Sequence, residues 1–161
     1  MKKLISVSLI FVFIHFTGKS QGTFTFSDTV VVAGQQRELT DIRFAICNHS
    51  PLIYDSTNIN ELDSLIDFLQ KNRQISIEIG VHTDSRGSDS MNLKISQMRA
   101  DSVREYLTKR GVENSRMLAK GYGETQCLVS EEEINRYKKT NKAQYNKLHI
   151  ANRRTVITII P

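Results

Sequence analysis

The chain has no tryptophan, two prolines, two cysteines and eight glycines among its 161 residues. So little proline and glycine excludes a linker-rich or fibrous chain, and this length leaves room for one ordinary domain plus an extension, not for a multidomain enzyme. Long apolar runs are missing too. The most apolar stretch, Leu4 to Phe16, is well short of the ~20 residues that a helix needs to cross a bilayer. A strong charge of one sign is also lacking. The formal net charge is +5, but Lys2, Lys3 and Lys19 lie in a segment read below as removable. Without them 19 basic side chains face 17 acidic ones, a balance too even to call for nucleic acid. What remains, 39% hydrophobic and 24% charged, is the composition of a folded domain rather than a disordered one.

The first twenty residues are read by their order. Met1-Lys2-Lys3 is a charged start, Leu4 to Phe16 is apolar, and Thr17 to Gly22 is small and polar. That succession describes a secretory signal with cleavage near Ser20, rather than an uncleaved anchor or a buried helix. No cysteine follows the apolar run directly, so a lipid-modified start is not expected, and the mature protein is expected to be exported and soluble. An oxidising compartment permits one disulfide. Cys47 and Cys127 are the only cysteines, and the alternative is two unpaired, partly buried thiols.

Hydrophobic spacing predicts the elements. Residues 23 to 36 read as a short strand or extended arm, and Leu39 to Ile46 as a strand. Asn48 to Asn58 reads as a polar connection containing Pro51. Asn58 with Glu61 forms a capping box, and Ile59, Leu62, Leu65, Ile66 and Leu69 continue it as an amphipathic helix. Ile75 to Val81 alternates strictly and reads as a half-covered strand. A second helix runs from Met91 or Asn92 to Arg110, with Leu93, Ser96, Ala100, Val103 and Leu107 on one stripe, and Gly111 ends it in the left-handed conformation. Met117 to Gly121 is a short strand, and Gly121-Tyr122-Gly123 reads as a turn. Ser130 with Glu133 is another capping box, opening a third helix or broken pair of helices through Leu148. Arg154 to Ile160 is a terminal strand. The order predicts an α/β sandwich, helices covering a sheet, with parallel crossovers among the first three strands.

Most candidate chemistry dissolves on inspection. His49, His82 and His149 have no ligand-like spacing to one another or to either cysteine, so no metal is expected. No nucleophile elbow is present, and Gly121 and Gly123 lack the third glycine and helix of a dinucleotide fingerprint. No cofactor is therefore expected. Arg136, Lys138, Lys139, Lys142 and Lys147 fall at helical spacing and read as a solvated face. One constellation survives. A strand ends in His82-Thr83-Asp84, a loop follows, and a helix carries Asn92, Ser96 and Arg99 at separations of four and three, on one face. Ligands of open α/β sheets commonly sit at such a strand end. Asp84 and Arg99, with Thr83 and Asn92 as neutral hydrogen-bonders, can receive a zwitterion, its ammonium at the acid and its carboxylate at the base. Equally, Asp84 and Arg99 can simply pair with each other.

At these residues the sequence resembles the peptidoglycan-binding OmpA-like domain found in OmpA-type porins, peptidoglycan-associated lipoproteins and motor stator proteins. The matching stretch is GVHTDSRGSDSMNLKISQMRADSVREYLTKRGVENSRMLAKGYGE, Gly80 to Glu124, followed by Asn152-Arg153-Arg154. The layout fits from residue 39 to 160. The resemblance implies a βαβαβ(α)β fold with a four-stranded mixed sheet, the last strand inserted between the first and second and the third at the far edge. It divides the chain into a signal peptide at 1–20, an arm at 21–36 and a domain at 37–161 with a helical insertion at about 130–149, longer and more helical than usual in the family. The implied strand order separates Cys47 from Cys127, which argues against their bridge.

The same resemblance implies non-enzymatic binding of peptidoglycan in the periplasm, in possible association with the outer membrane. Asp84 and Arg99 would hold the amino and carboxylate ends of the diaminopimelate in the stem peptide, with Thr83 and Asn92 in support. Arg154 is expected to line the pocket, and Asn152 and Arg153 to hold the terminal segment. An alternative is a protein-interaction subunit of an envelope complex with a vestigial wall site, using the arm and the stretch Ser130 to Leu148 as working surfaces. A wall-degrading enzyme lacks a nucleophile and a metal site.

Overall fold

The computed structural model describes residues 22–39, 42, 44–47, 50–53 and 56–161, with 44–47, 50–53 and 56–59 given by their backbone alone. The expected signal segment at 1–20 lies outside the described residues, as does His49. The elements, in order, are β1 (Gln36–Leu39), β2 (Phe44–Cys47), β3 (Ser50–Ile53), α1 (Ser56–Lys71), β4 (Ser76–His82), α2 (Asp89–Thr108), β5 (Met117–Gly123), α3 (Glu131–Asn135), α4 (Lys142–Asn152) and β6 (Thr155–Ile160).

Four strands form a sheet in the order β1-β6-β4-β5. β6 runs antiparallel to both neighbours, β1 and β4, while β4 and β5 are parallel. β1, β4 and β5 therefore share one direction, and the chain's last strand separates the first from the second. The fold is the mixed α/β sandwich that the resemblance implied. Strict alternation in β4 sends Ile77, Ile79 and Val81 into the core, because successive side chains of a strand face opposite ways. Ile77 and Ile79 join Leu62, Leu65, Phe68 and Leu69 of α1, Val103 and Leu107 of α2, and Ile157 and Ile159 of β6, while Val81 packs with Ala100 and Ala119.

Three expectations need correction. The strand read over Leu39 to Ile46 is two elements: β1 stops at Leu39, and Phe44–Cys47 pairs with Ser50–Ile53 in a separate two-stranded hairpin that includes Pro51. Leu39 and Ile42 are three residues apart, which breaks the period of two that a continuous strand requires. Residues 22–34 are not a free arm. Phe24 is 1% exposed with its ring 5.6 Å from that of Phe68, and Thr23 bridges to Gln36. Phe24, with Phe26 and Val31 packed beside it, folds the segment back onto the core. The buried stripe of α2 starts at Asn92, not at Leu93, which is 52% exposed. Spacings of 4, 4, 3 and 4 through Ser96, Ala100, Val103 and Leu107 follow one face of a helix.

The helix ends follow sequence chemistry. Ser88 caps α2 by accepting from the Met91 N–H, Gly111 takes the positive φ of 90° that stops the chain after it, and Ser130 accepts from the Glu133 N–H to start α3. The expected third helix is a broken pair, because Asn141 caps a new start by accepting from the Gln144 N–H at 3.0 Å. Helix α1 begins at Ser56, two residues before the expected cap at Asn58.

Candidate functional site

Four chain segments converge at one end of the sheet. β4 delivers Thr83 and Asp84, β5 delivers Glu124, α2 starts there with Asn92, and Arg153 enters between α4 and β6. The convergence requires α2 to lie close against β5, and glycine makes this possible. A Cβ on Gly121 would sit 2.2 Å from the backbone nitrogen of Gln97 and 2.6 Å from its Cα. The Gly121 and Gly123 N–H groups then donate to Gln97 Oε1 at 2.8 Å and Ser96 Oγ at 2.9 Å. Gly121-Tyr122-Gly123 is thus the end of a strand seated under a helix, not the turn expected from its glycines.

Asp84 is 5% exposed. Its carboxylate accepts from the Arg86 backbone N–H at 3.0 Å, from Arg86 Nε at 3.1 Å and from the Arg86 Nη2 at 2.7 Å, and Arg153 Nε stands 3.4 Å from Oδ2. Burial pushes this carboxyl upward, but the hydrogen bonds and charge of Arg86, helped by Arg153, outweigh it and hold the group below the usual aspartate value. The ion partners of Asp84 among the described residues are Arg86 and Arg153. A simple mutual pair of Asp84 and Arg99 is therefore not the arrangement found.

Arg99 lies in the same electrostatic field. Burial lowers its guanidinium pKa, the positive charge of Arg153 lowers it further, and Asp84 opposes them both. The buried Asp84 carboxylate thus stands among Arg86, Arg153 and, in the same field, Arg99, with the carboxylates of Glu124 and Glu131 at the margin of the cluster. Asn92 commits its amide to the protein, donating to the Asp84 carbonyl at 3.2 Å and to the Glu124 carboxylate. Thr83 donates its backbone N–H to the Gly123 carbonyl at 2.9 Å. Its hydroxyl is buried without a hydrogen-bond partner among the described residues.

Arg154 is not part of this cluster. Neighbouring residues entering a strand face opposite sides, and it is Arg153 that turns toward Asp84. Arg154 donates to the Gln126 carbonyl at 2.9 Å and the Asn152 carbonyl at 3.3 Å. It lines a cavity of about 270 Å³ on the opposite face of the sheet, with Glu38, Glu78, His82 and Tyr122. His82 stacks on Tyr122 there, ring centroids 4.9 Å apart, and burial together with the Arg154 charge lowers its pKa from 6.5 to about 4. Asn152 accepts from the Leu128 and Val129 N–H groups at 2.8 and 2.9 Å, pinning the loop after β5.

Sequence reading missed Arg86 and Glu124. Both stand inside the motif quoted above, but neither has a spacing that singles it out. Cys127 keeps a free thiol that donates to the Glu124 carbonyl at 3.2 Å, so the bridge to Cys47 is not formed. Cys47 belongs to the hairpin outside the main sheet, whereas Cys127 follows the edge strand β5. Among the described residues no group of three or more His, Cys, Asp or Glu is placed to hold a metal, and no helix is long and apolar enough to cross a membrane.

Known proteins share this architecture. The sequence profile of the OmpA family matches residues 49–147, more than half of the chain. The chain belongs to the OmpA family. It is similar to outer membrane porin F of Pseudomonas fluorescens, 36% identical over 98 residues, covering 61% of this chain and 29% of that protein. It is similar also to the peptidoglycan-associated lipoprotein of Buchnera aphidicola subsp. Baizongia pistaciae, 33% identical over 102 residues, with 63% and 57% covered. The chain therefore spans well under two thirds of these relatives' own length. Among solved structures, the peptidoglycan-associated lipoprotein from Burkholderia pseudomallei superposes with a TM-score of 0.54 at 23% identity, covering 73% of this chain and 87% of the other. The periplasmic domain of Helicobacter pylori MotB gives 0.52 at 16%, covering 73% and 69%. At these identities the likeness establishes the fold.

Proposed function

We propose that this chain grips peptidoglycan through the diaminopimelate of its stem peptide, and so tethers or positions a partner at the outer envelope after export. Asp84 takes the ammonium of the diamino acid, and Arg99, joined by Arg153, takes its carboxylate. The observation that carries this reading is the cluster itself: one nearly buried carboxylate beside Arg86 and Arg153, with Arg99 in the field of both Asp84 and Arg153. An anion and several guanidinium groups gathered at one strand end match the opposite charges of a zwitterion, and guanidinium is the group best shaped to bond a carboxylate. Thr83 and Asn92 support the acid from the strand end and the helix start.

Charge-assisted bonds of ~1.5–3 kcal/mol each give micromolar or weaker affinity for a single stem. Many copies on a polymeric wall raise it by avidity. The test is sedimentation with purified sacculi. Wild type co-sediments, whereas Asp84→Ala and Arg99→Ala remain in the supernatant with an unchanged circular-dichroism spectrum. Equal sedimentation of all three would refute the reading.

A further inference from the structure

The seat that the proposed function gives to a ligand ammonium is already occupied. Three N–H groups donate to the Asp84 carboxylate, the Arg86 backbone N–H, Nε and Nη2, and Arg153 Nε stands 3.4 Å from Oδ2 as an ion pair. A carboxylate offers about four lone-pair positions, so an ammonium that is to make more than one bond there must displace one of these donors. The backbone N–H is fixed by the loop. The Arg86 and Arg153 side chains are about equally exposed, 47% and 46%, but Arg86 is the one that also feels a second acid, Glu131, and so has somewhere else to go.

A second acid stands ready for it. Glu131, the first residue of α3, accepts a hydrogen bond from the hydroxyl of Ser85, the residue before Arg86, and another from Asn135 Nδ2 at 3.1 Å. The Ser85 contact places the Glu131 carboxylate beside the Arg86 loop, where it stabilises the charged guanidinium from a distance. Helix α3 opens the stretch that the sequence sets apart as longer and more helical than the family's usual layout.

Resting on the reading given under the preceding heading, we infer that Arg86 is an internal stand-in for the ligand's ammonium, and that Glu131 receives its guanidinium when the ligand takes Asp84. The exchange conserves ion pairs: Asp84 trades one cation for another, and Arg86 trades one carboxylate for another. It also sets specificity, because a ligand without an ammonium has nothing with which to replace Arg86. The observed affinity is the intrinsic one reduced by the fraction of molecules in which the Arg86 pair is open.

The experiment is calorimetric titration of the chain with a soluble stem tripeptide ending in diaminopimelate, using wild type, Arg86→Ala, Arg86→Gln, Glu131→Gln and the Arg86→Ala/Glu131→Gln double variant. Removing the stand-in tightens binding about three- to tenfold in both Arg86 variants. Glu131→Gln weakens it about twofold or more in the wild-type background and leaves the Arg86→Ala background unchanged, since only a guanidinium needs the parking place. Unchanged or weaker binding by the Arg86 variants overturns the exchange. So does an equal effect of Glu131→Gln in both backgrounds, which would make Glu131 a distant charge only. Asp84→Asn separates the levels. If it binds the tripeptide as wild type does, or wild type does not bind, the parent reading falls and this one with it. If it loses binding while Arg86→Ala gains none, the exchange alone is wrong.

Discussion

Asn92 on α2 donates to the backbone carbonyl of Asp84 at 3.2 Å, so the first turn of a helix fixes the acid that ends a strand. The same amide reaches the Glu124 carboxylate, and the residue is 5% exposed. Replacing it by alanine leaves a buried carbonyl and a carboxylate without their donor. The expected cost is ~1–3 kcal/mol, measured as a lower urea midpoint with an unchanged slope. A midpoint equal to that of wild type would mean that water substitutes fully for the amide.

Arg153 and Arg154 are adjacent in sequence but serve opposite faces of the sheet. Arg153→Ala is expected to weaken sacculus binding severalfold, because the cluster loses the cation nearest Asp84 after Arg86. Arg154→Ala is expected to leave sacculus binding unchanged, its guanidinium being bonded to the Gln126 and Asn152 carbonyls. Co-sedimentation of the two variants side by side decides it, and the reverse order of effects would sink the assignment.

Gly121 is the tightest contact between α2 and β5. An added Cβ meets backbone atoms of Gln97 at 2.2 and 2.6 Å, and backbone cannot swing aside as a side-chain tip can. Gly121→Ala is therefore expected to lose ~3 kcal/mol or more, at or beyond the usual range for overpacking. Thermal melting against wild type reads this, and a melting temperature within two degrees of wild type would contradict the close approach.

His82 predicts acid sensitivity with a definite sign. Burial and Arg154 lower its pKa from 6.5 to about 4, so on acidification the unfolded chain binds a proton first. The stability contributed by neutral His82 is complete above pH 6.5 and is lost as pH falls toward 4, by up to about 3 kcal/mol. Asp84, held below the ordinary aspartate value, adds a further loss below that window as its carboxylate is protonated. Proton NMR of the imidazole gives the check: a midpoint near 4 is expected, and one above 6 would rule the mechanism out.

Phe24 makes the N-terminal segment part of the domain. At 1% exposure, with its ring edge-on to Phe26 and tilted against Phe68, it is expected to cost ~3–5 kcal/mol on replacement by alanine. Chemical denaturation measures it. A cost below ~1 kcal/mol would show that residues 22–34 are dispensable for the fold.

Local periodicity and caps made most elements legible. Ile77, Ile79 and Val81 alternate, Leu62, Leu65 and Leu69 recur at helical spacing, and Gly111 and Ser130 mark ends, because each signal depends on neighbours a few residues apart. The strand order came from family resemblance, since nothing in the alternation of Thr155 to Ile160 says that it separates β1 from β4. Likewise Asp84, Thr83, Asn92 and Arg99 stood out by motif and helical phase, while Phe24 gave no periodic signal at all.

The amino-acid order alone determined most of the elements by short-range spacing, and the family and the candidate acid and base by the resemblance of a motif. Tertiary structure decided which charges meet. Arg153 rather than Arg154 faces Asp84, Arg86 closes on its carboxylate, and Glu131 waits beside the loop, because these relations depend on how α2, α3 and β6 pack at one sheet end. Electrostatic energy falls with distance in space and is indifferent to separation along the chain.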